Sequence, residues 1–261
     1  MPEFPLSGPV TVQVRVPAGS IEVVAEERSS ADVDIQPFDG RPESAELAAE
    51  TRAELRGDTL KIATPDNSGW RRRNGSIAVT VRVPYDSSAD AKLASADASF
   101  HGRLARVELE SASGDAYVEH VTGDVTIQTA SGDARTGRVE GSLRVKGASG
   151  DLNAQHIGGS LGVKSASGDV EVEELAGDAD IKTASGDVHI GGSSGGTVRV
   201  NTVSGDVGIG VKSGTGVWLD VSTVSGRTRN GLDMGAGGET GGHDLSLQLR
   251  TVSGDIDIHT A

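Results

Sequence analysis

The sequence predicts an all-β chain, most of it a flattened parallel β-solenoid with about 18 residues per turn. The first observation is a recurring Ser-Gly-Asp tripeptide that begins at Ser113, Ser131, Ser149, Ser167 and Ser185, in four equal steps of 18 residues. The step then lengthens to 19 at Ser204, 21 at Ser225 (which reads Ser-Gly-Arg) and 28 at Ser253. The second is glycine at 114, 123, 132, 141, 150, 159, 168, 177, 186 and 195, a nine-residue spacing without a slip. The third is the pattern inside each nine-residue unit. Its second and fourth positions after glycine are mostly apolar (Val125 and Ile127, Leu143 and Val145, Val170 and Val172), so they share one inward face of a short strand.

The seventh position alternates large and small: Val121, Ala130, Val139, Ala148, Ile157, Ala166, Leu175, Ala184, then Ser193. The unit is therefore two unequal nine-residue half-turns. One corner is expected to be tight, with alanine beneath Ser-Gly-Asp, and the other roomier. A chain of 18 residues has at most about 60 Å of contour, enough for two short strands and two corners. Two facing sheets about 10 Å apart follow, with equivalent residues stacked about 4.8 Å apart along the axis. Helices would need a 3.6-residue period, which these units lack.

In chain order, Val10 to Val16 alternates as a strand, Pro17-Ala18-Gly19-Ser20 reads as a turn, and Ile21 to Ala25 and Ala31 to Pro37 as further strands. Glu43 to Ala49 reads as a short helix after Pro42. Arg52–Arg56 and Asp58–Ala63 form a hairpin about Gly57, and Ser76–Pro84 is another strand. Residues 1–92 are thus expected to form an antiparallel or mixed β region that caps a solenoid domain at 93–261, with 93–110 a degenerate first turn. A Gly-rich insertion at 231–243 precedes strand Asp244–Arg250, and the chain closes on the repeat fragment Ser253-Gly254-Asp255-Ile256-Asp257-Ile258. That C-terminal solenoid edge is expected to be bare, open to another copy of the chain.

Composition narrows the function classes. The 261 residues contain 37 glycines and 3% aromatics, so the core must be Val, Ile, Leu and Ala. No cysteine is present, which removes disulfides and thiolate metal sites. A net charge of −14 disfavours nucleic acid and anionic membranes as partners. No stretch approaches the roughly 20 apolar residues of a membrane span. Met1-Pro2-Glu3-Phe4-Pro5 lacks a basic, then apolar, leader, so the chain as it stands reads as cytoplasmic; an exported protein trimmed of its signal would read identically.

Val16 to Ile21 (Val-Pro-x-Gly-x-Ile), Gly57–Leu60, Val81–Pro84 and the serial Ser-Gly-Asp repeats occur in an order that resembles the bacterial putative-adhesin family of β-strand-repeat proteins, domain of unknown function 4097. The resemblance spans nearly the whole chain. It implies a β-solenoid and transfers no catalytic residue.

The candidate sites follow from the repeats. Asp115, Asp133, Asp151, Asp169, Asp187, Asp206 and Asp255 form a ladder. A calcium β-roll would need the fuller Gly-Gly-x-Gly-x-Asp pattern, so backbone capping by Asp and Ser beside a turn-forming Gly is the expectation. Lys146, Lys164 and Lys182 could pair across the corner with Asp151, Asp169 and Asp187. Thr129, Thr183, Thr202, Thr223 and Thr251, with Ser111 and Ser165, form a hydroxyl file. His120 and His156 share a column two turns apart, too far for one metal. Glu171, Glu173, Glu174, Asp178 and Asp180 make an acidic patch without the long loops of a cleft. His243 with Glu239 and Asp244 lies on the insertion, Arg71-Arg72-Arg73 beside Trp70 is the sole basic cluster, and Arg56-Gly57-Asp58 reads as a hairpin turn.

The chain is accordingly expected to be non-enzymatic, with no catalytic, cofactor or metal residues. Its expected role is a structural or interaction module that binds a partner protein, a surface polymer or itself. The alternatives are a calcium-binding β-roll and a bactofilin-like self-assembling cytoplasmic scaffold.

Overall fold

The computed structural model describes residues 3–65, 75–232 and 244–261. Its elements are strands apart from one short helix, and they fall into two compact units, 1–133 and 134–261.

The first unit contains β1 (Glu3–Pro5), β2 (Thr11–Glu26), β3 (Ser30–Pro37), α1 (Pro42–Glu50), β4 (Arg52–Arg56), β5 (Thr59–Ala63), β6 (Ile77–Pro84), β7 (Ser88–Leu104), β8 (Arg106–Ser113), β9 (Ala116–Val121) and β10 (Val125–Ser131). Strand β2 runs unbroken through Pro17-Ala18-Gly19-Ser20, where the sequence suggests a turn. Gly19 (φ 122°) bends the strand instead, so β2 forms both halves of one coil. β7 repeats that path in parallel register with β2, from Thr11 opposite Ser88 to Val24 opposite His101. The coil geometry is therefore present before Leu93. On one face the strand order is β4-β5-β2-β7-β8-β10, and on the other β1-β3-β6-β2-β7-β9.

The β4–β5 hairpin turns at Gly57 (φ 63°), as its sequence indicates, and the Arg56-Gly57-Asp58 tripeptide is that turn. Helix α1 starts with Pro42 and Glu43 in its first turn, where a missing N–H and a negative charge are both favourable. It packs on β3 and β6 and buries Leu47 and Ser44. Ser44 Oγ also accepts the Ser76 N–H at 3.0 Å, which ties the helix to the end of the coil.

The second unit contains β11 (Ala134–Val139), β12 (Leu143–Lys146), β13 (Leu152–Ile157), β14 (Leu161–Lys164), β15 (Val170–Leu175), β16 (Ala179–Lys182), β17 (Val188–Ser193), β18 (Gly196–Asn201), β19 (Val207–Val211), β20 (Val217–Ser225), β21 (Thr228–Asn230), β22 (Leu245–Ser253) and β23 (Ile256–Thr260). All its pairings are parallel, and from β11 to β16 the partners lie 18 residues apart, as in Leu152 opposite Val170. The inward positions Ile157, Ile181, Ile190 and Val198 are fully buried.

Two expectations need correction. The seventh-position alanines Ala148, Ala166 and Ala184 lie outside, exposed, while the residue before each of them (Ser165 and Thr183, for example) turns inward at that corner. The other corner does hold bulky buried residues, Ile157 and Leu175. The C-terminal edge also differs. β18 pairs with β22, and β22 pairs in turn with β20, so the last segment of the chain lies between two earlier ones. The same order holds on the opposite face, β19-β23-β21. Among the described residues the coil at the open end is 217–230, not the C-terminal one. The 21- and 28-residue steps in the serine series are the trace of this inversion. Of the Gly-rich insertion, 233–243 lie outside the described residues.

The corner glycines set the spacing. At Gly186 (φ 130°) an added Cβ would overlap the carbonyl oxygen of Gly168 in the coil below. Gly186→Ala is expected to lower stability by at least about 2 kcal/mol, from strain plus displaced backbone. Gly57→Ala, with open space around it, should cost only about 1 kcal/mol. Urea midpoints at unchanged m-value measure both.

Candidate functional site

The Ser-Gly-Asp corner solves a backbone problem. Within each unit, an aspartate Oδ1 accepts the N–H of the aspartate one coil further on. In the first unit Asp97 takes Asp115 N–H at 3.0 Å and Asp115 takes Asp133 N–H at 2.9 Å. In the second unit Asp151, Asp169, Asp187 and Asp206 each take the next aspartate's N–H, at 2.8, 2.8, 2.7 and 2.7 Å. The series ends when Asp255 accepts the N–H of Arg227 at 2.8 Å. A terminal coil has no neighbour whose N–H needs an acceptor, and there Ser-Gly-Asp becomes Ser-Gly-Arg.

The hydroxyl file serves the same corner from inside. Thr129, Ser165, Thr183 and Thr202 donate to the carbonyl two residues on, at 2.7 to 3.2 Å. Ser111 does likewise at 2.9 Å, while Thr223 reaches the Gly254 carbonyl and Thr251 that of Gly205. The carboxylates thus cap backbone, and a cation with six to eight oxygen ligands would compete with those bonds. Among the described residues no three His, Asp or Glu side chains converge as a metal-ligand set.

The remaining candidates disperse. Lys146, Lys164 and Lys182 do form a column, but Lys182 pairs with Asp180 along its own strand at 2.9 Å rather than across the corner. His120 lies opposite Arg103 in the first unit. His156, in the second, meets Glu174 at 3.1 Å, and Lys212 meets the same carboxylate at 3.3 Å. The hydrogen bond from His156, then that from Lys212, holds the Glu174 carboxyl below its ordinary range. Glu171 accepts from Asn153, and Asp178 accepts the Thr197 N–H. Glu173 is exposed. Asp244 Oδ2 accepts the Gly216 N–H. Trp70, Arg71, Arg72, Arg73, Glu239 and His243 lie outside the described residues.

What distinguishes one region is the open coil 217–230. Among the described residues β20 pairs only with β22 and β21 only with β23. The core-facing Val217, Leu219 and Val221 are half-buried, whereas their stacked neighbours Leu245, Leu247 and Leu249 are fully covered. Beside them the exposed corner changes from Ala184 to Val203, Val252 and Val224, the last 80% exposed. The two readable signals were the Ser-Gly-Arg variant and the repeated Thr-Val-Ser-Gly. The sequence alone placed the open edge on the wrong coil.

The Toastrack DUF4097 family matches residues 27–259, and the chain belongs to that family. No curated protein matches the chain. Among solved structures, a putative adhesin of Bacteroides fragilis is similar over 98% of this chain and 95% of its own, with 13% identity and a TM-score of 0.52. A putative lipid binding protein of Parabacteroides distasonis covers 100% and 95%, with 14% identity and a TM-score of 0.48. A putative adhesin from the same species covers 98% and 95%, with 11% identity and a TM-score of 0.38. At these identities the likeness concerns the fold alone. No helix among the described residues is long and apolar enough to cross a membrane.

The ladder's role is tested by paired substitutions. Asp187→Ala removes the acceptor for Asp206 N–H and should cost about 1 kcal/mol, whereas Asp187→Asn keeps an acceptor and should cost less than half of that. Thermal unfolding with and without millimolar calcium should show the same order and no calcium-dependent rise in Tm.

Proposed function

We propose that the chain is a non-enzymatic interaction module whose working surface is the open coil 217–230, and that its occupant is the same coil of a second copy. The observation that carries this reading is the half-covered apolar row Val217, Leu219, Val221 lying at two sheet edges, β20 and β21, that have no further strand partner among the described residues. A single extended peptide could pair with one edge but would leave the row between them uncovered. Another coil end of the same cross-section covers both edges and the row at once.

The first unit offers no such match. There, antiparallel strands β4, β3 and β1 border the sheets, and α1 buries Leu47 against β3 and β6. Head-to-tail growth needs two complementary open ends, whereas joining like ends gives a closed twofold pair. The arrangement supports a closed dimer over a filament-forming scaffold. The loss of the aspartate at Arg227 agrees with a coil that no in-register parallel coil follows.

Sedimentation from micromolar to near-millimolar concentration tests the proposal. A monomer–dimer equilibrium without larger species is expected, and Leu219→Lys should weaken it at least tenfold. A wild-type chain that stays monomeric throughout, or one that grows beyond dimers, would overturn it.

A further inference from the structure

The outer face of the first unit carries an open pocket of about 400 Å³ where β5, β2 and β7 lie side by side. Three cations from these three strands line it: Lys61, Arg15 and Lys92. Their grouping is unusual in a chain that carries 38 acidic against 24 basic residues. Arg15 sits in direct register with Lys92 on one side and with Ala63 on the other. Like charges opposite each other on adjacent strands are destabilising unless something of opposite sign lies between or beside them.

Two of the three cations face a carboxylate on an adjacent strand, Lys92 opposite Glu110 and Lys61 opposite Glu54, and Arg15 faces Lys92 and Ala63. Lys92 binds Glu110 at 2.9 Å, and that bond, with Asp90 nearby, raises its pKa against the opposing effect of Arg15. Arg15 and Lys61 have no hydrogen bond or ion pair with any described residue. The depression forms because the short side chain of Ala63 stands beside these long ones. Apolar surface completes it, from exposed Pro17 and Ala94 at the bend of β2 and its neighbour in β7, with Val16 and Leu93 buried behind them.

We propose that this pocket binds a small amphiphilic phosphate monoester, with Arg15 gripping the phosphate, Lys61 and Lys92 flanking it, and the apolar body lying against Pro17 and Ala94. The volume falls in the range of small-molecule sites, about 300–1,000 Å³, and exceeds what a bare anion fills. A guanidinium presents a donor fork that matches phosphate oxygens two at a time, and ammonium groups add point charge. Three cations suit a group that carries about −1.5 to −2 charges at neutral pH better than a singly charged carboxylate. The site is remote in sequence from coil 217–230 and independent of whether that coil self-associates.

Calorimetric titration of the full chain with octyl phosphate, kept below its micelle-forming concentration, provides the test. Octyl phosphate should bind at least tenfold more tightly than inorganic phosphate, and neutral octyl glucoside should give no heat. Arg15→Gln should weaken octyl phosphate at least tenfold with an unchanged melting temperature, while Arg229→Gln on the terminal coil should leave it unaffected. Failure of octyl phosphate to bind at millimolar concentration, equal binding of the octyl and inorganic forms, or wild-type affinity in Arg15→Gln would overturn the proposal.

Discussion

One coil's backbone passes close over the next at the Ser-Gly-Asp corner, and that approach dictates which residues the repeat can use. At Gly168, Gly186, Gly205 and Gly254 a side-chain carbon would overlap the carbonyl oxygen of the coil below, and each of these glycines has positive φ. That passage leaves the following N–H without a regular ladder partner, and the preceding coil's aspartate supplies one. The inward threonine or serine then satisfies a carbonyl at the same bend. Gly, Asp and Thr therefore recur together because they answer one local geometry, in which a buried or half-buried polar backbone group must find a partner. The motif that most resembles a binding site is occupied with its own main chain.

The sequence made the coil legible because the inward rows and the glycine column repeat at a fixed period. Leu152, Val170 and Val188 stack as their spacing indicates, and the Arg52–Ala63 hairpin and the helix after Pro42 are where local turn and capping chemistry put them. Two things were hidden. Whether the alanine or the threonine of Thr-Ala-Ser-Gly faces inward depends on how the corner bends, and period-two alternation does not survive a corner. The threonine wins because its hydroxyl can be satisfied there, while the alanine methyl loses little by exposure. The coil order at the end was also hidden, since every coil there carries the same Thr-Val-Ser-Gly signal and any of them could stack on any other. The pocket lined by Arg15, Lys61 and Lys92 left no linear trace, because its residues come from strands brought together only by parallel register.

The two units border their sheets differently. The first unit ends in antiparallel strands and a helix, the usual way of blunting a sheet edge. In the second, the chain's last segment is spent inside the stack, and an earlier segment with less fully buried residues lies at the edge. The row Leu245, Leu247, Leu249 is wholly covered in its inner position, where a more apolar strand gains most from burial. The half-covered row, rather than any cluster of reactive side chains, is what sets coil 217–230 of this Toastrack member apart from its stacked neighbours.

Segments 196–211, 245–260 and 217–230 stack in that order, and engineered cysteine pairs can report it because the chain has no cysteine of its own. Ser204 and Ser253 are bridge partners, as are Ser253 and Ser225. Adjacent coils lie about 4.8 Å apart, within disulfide reach, while coils two steps apart exceed the roughly 7 Å limit between Cα atoms. Under mild oxidation the Ser204→Cys/Ser253→Cys and Ser253→Cys/Ser225→Cys variants should crosslink within the monomer, and Ser204→Cys/Ser225→Cys should not. Rapid intramolecular crosslinking of the last pair, with none in the first, would contradict the account.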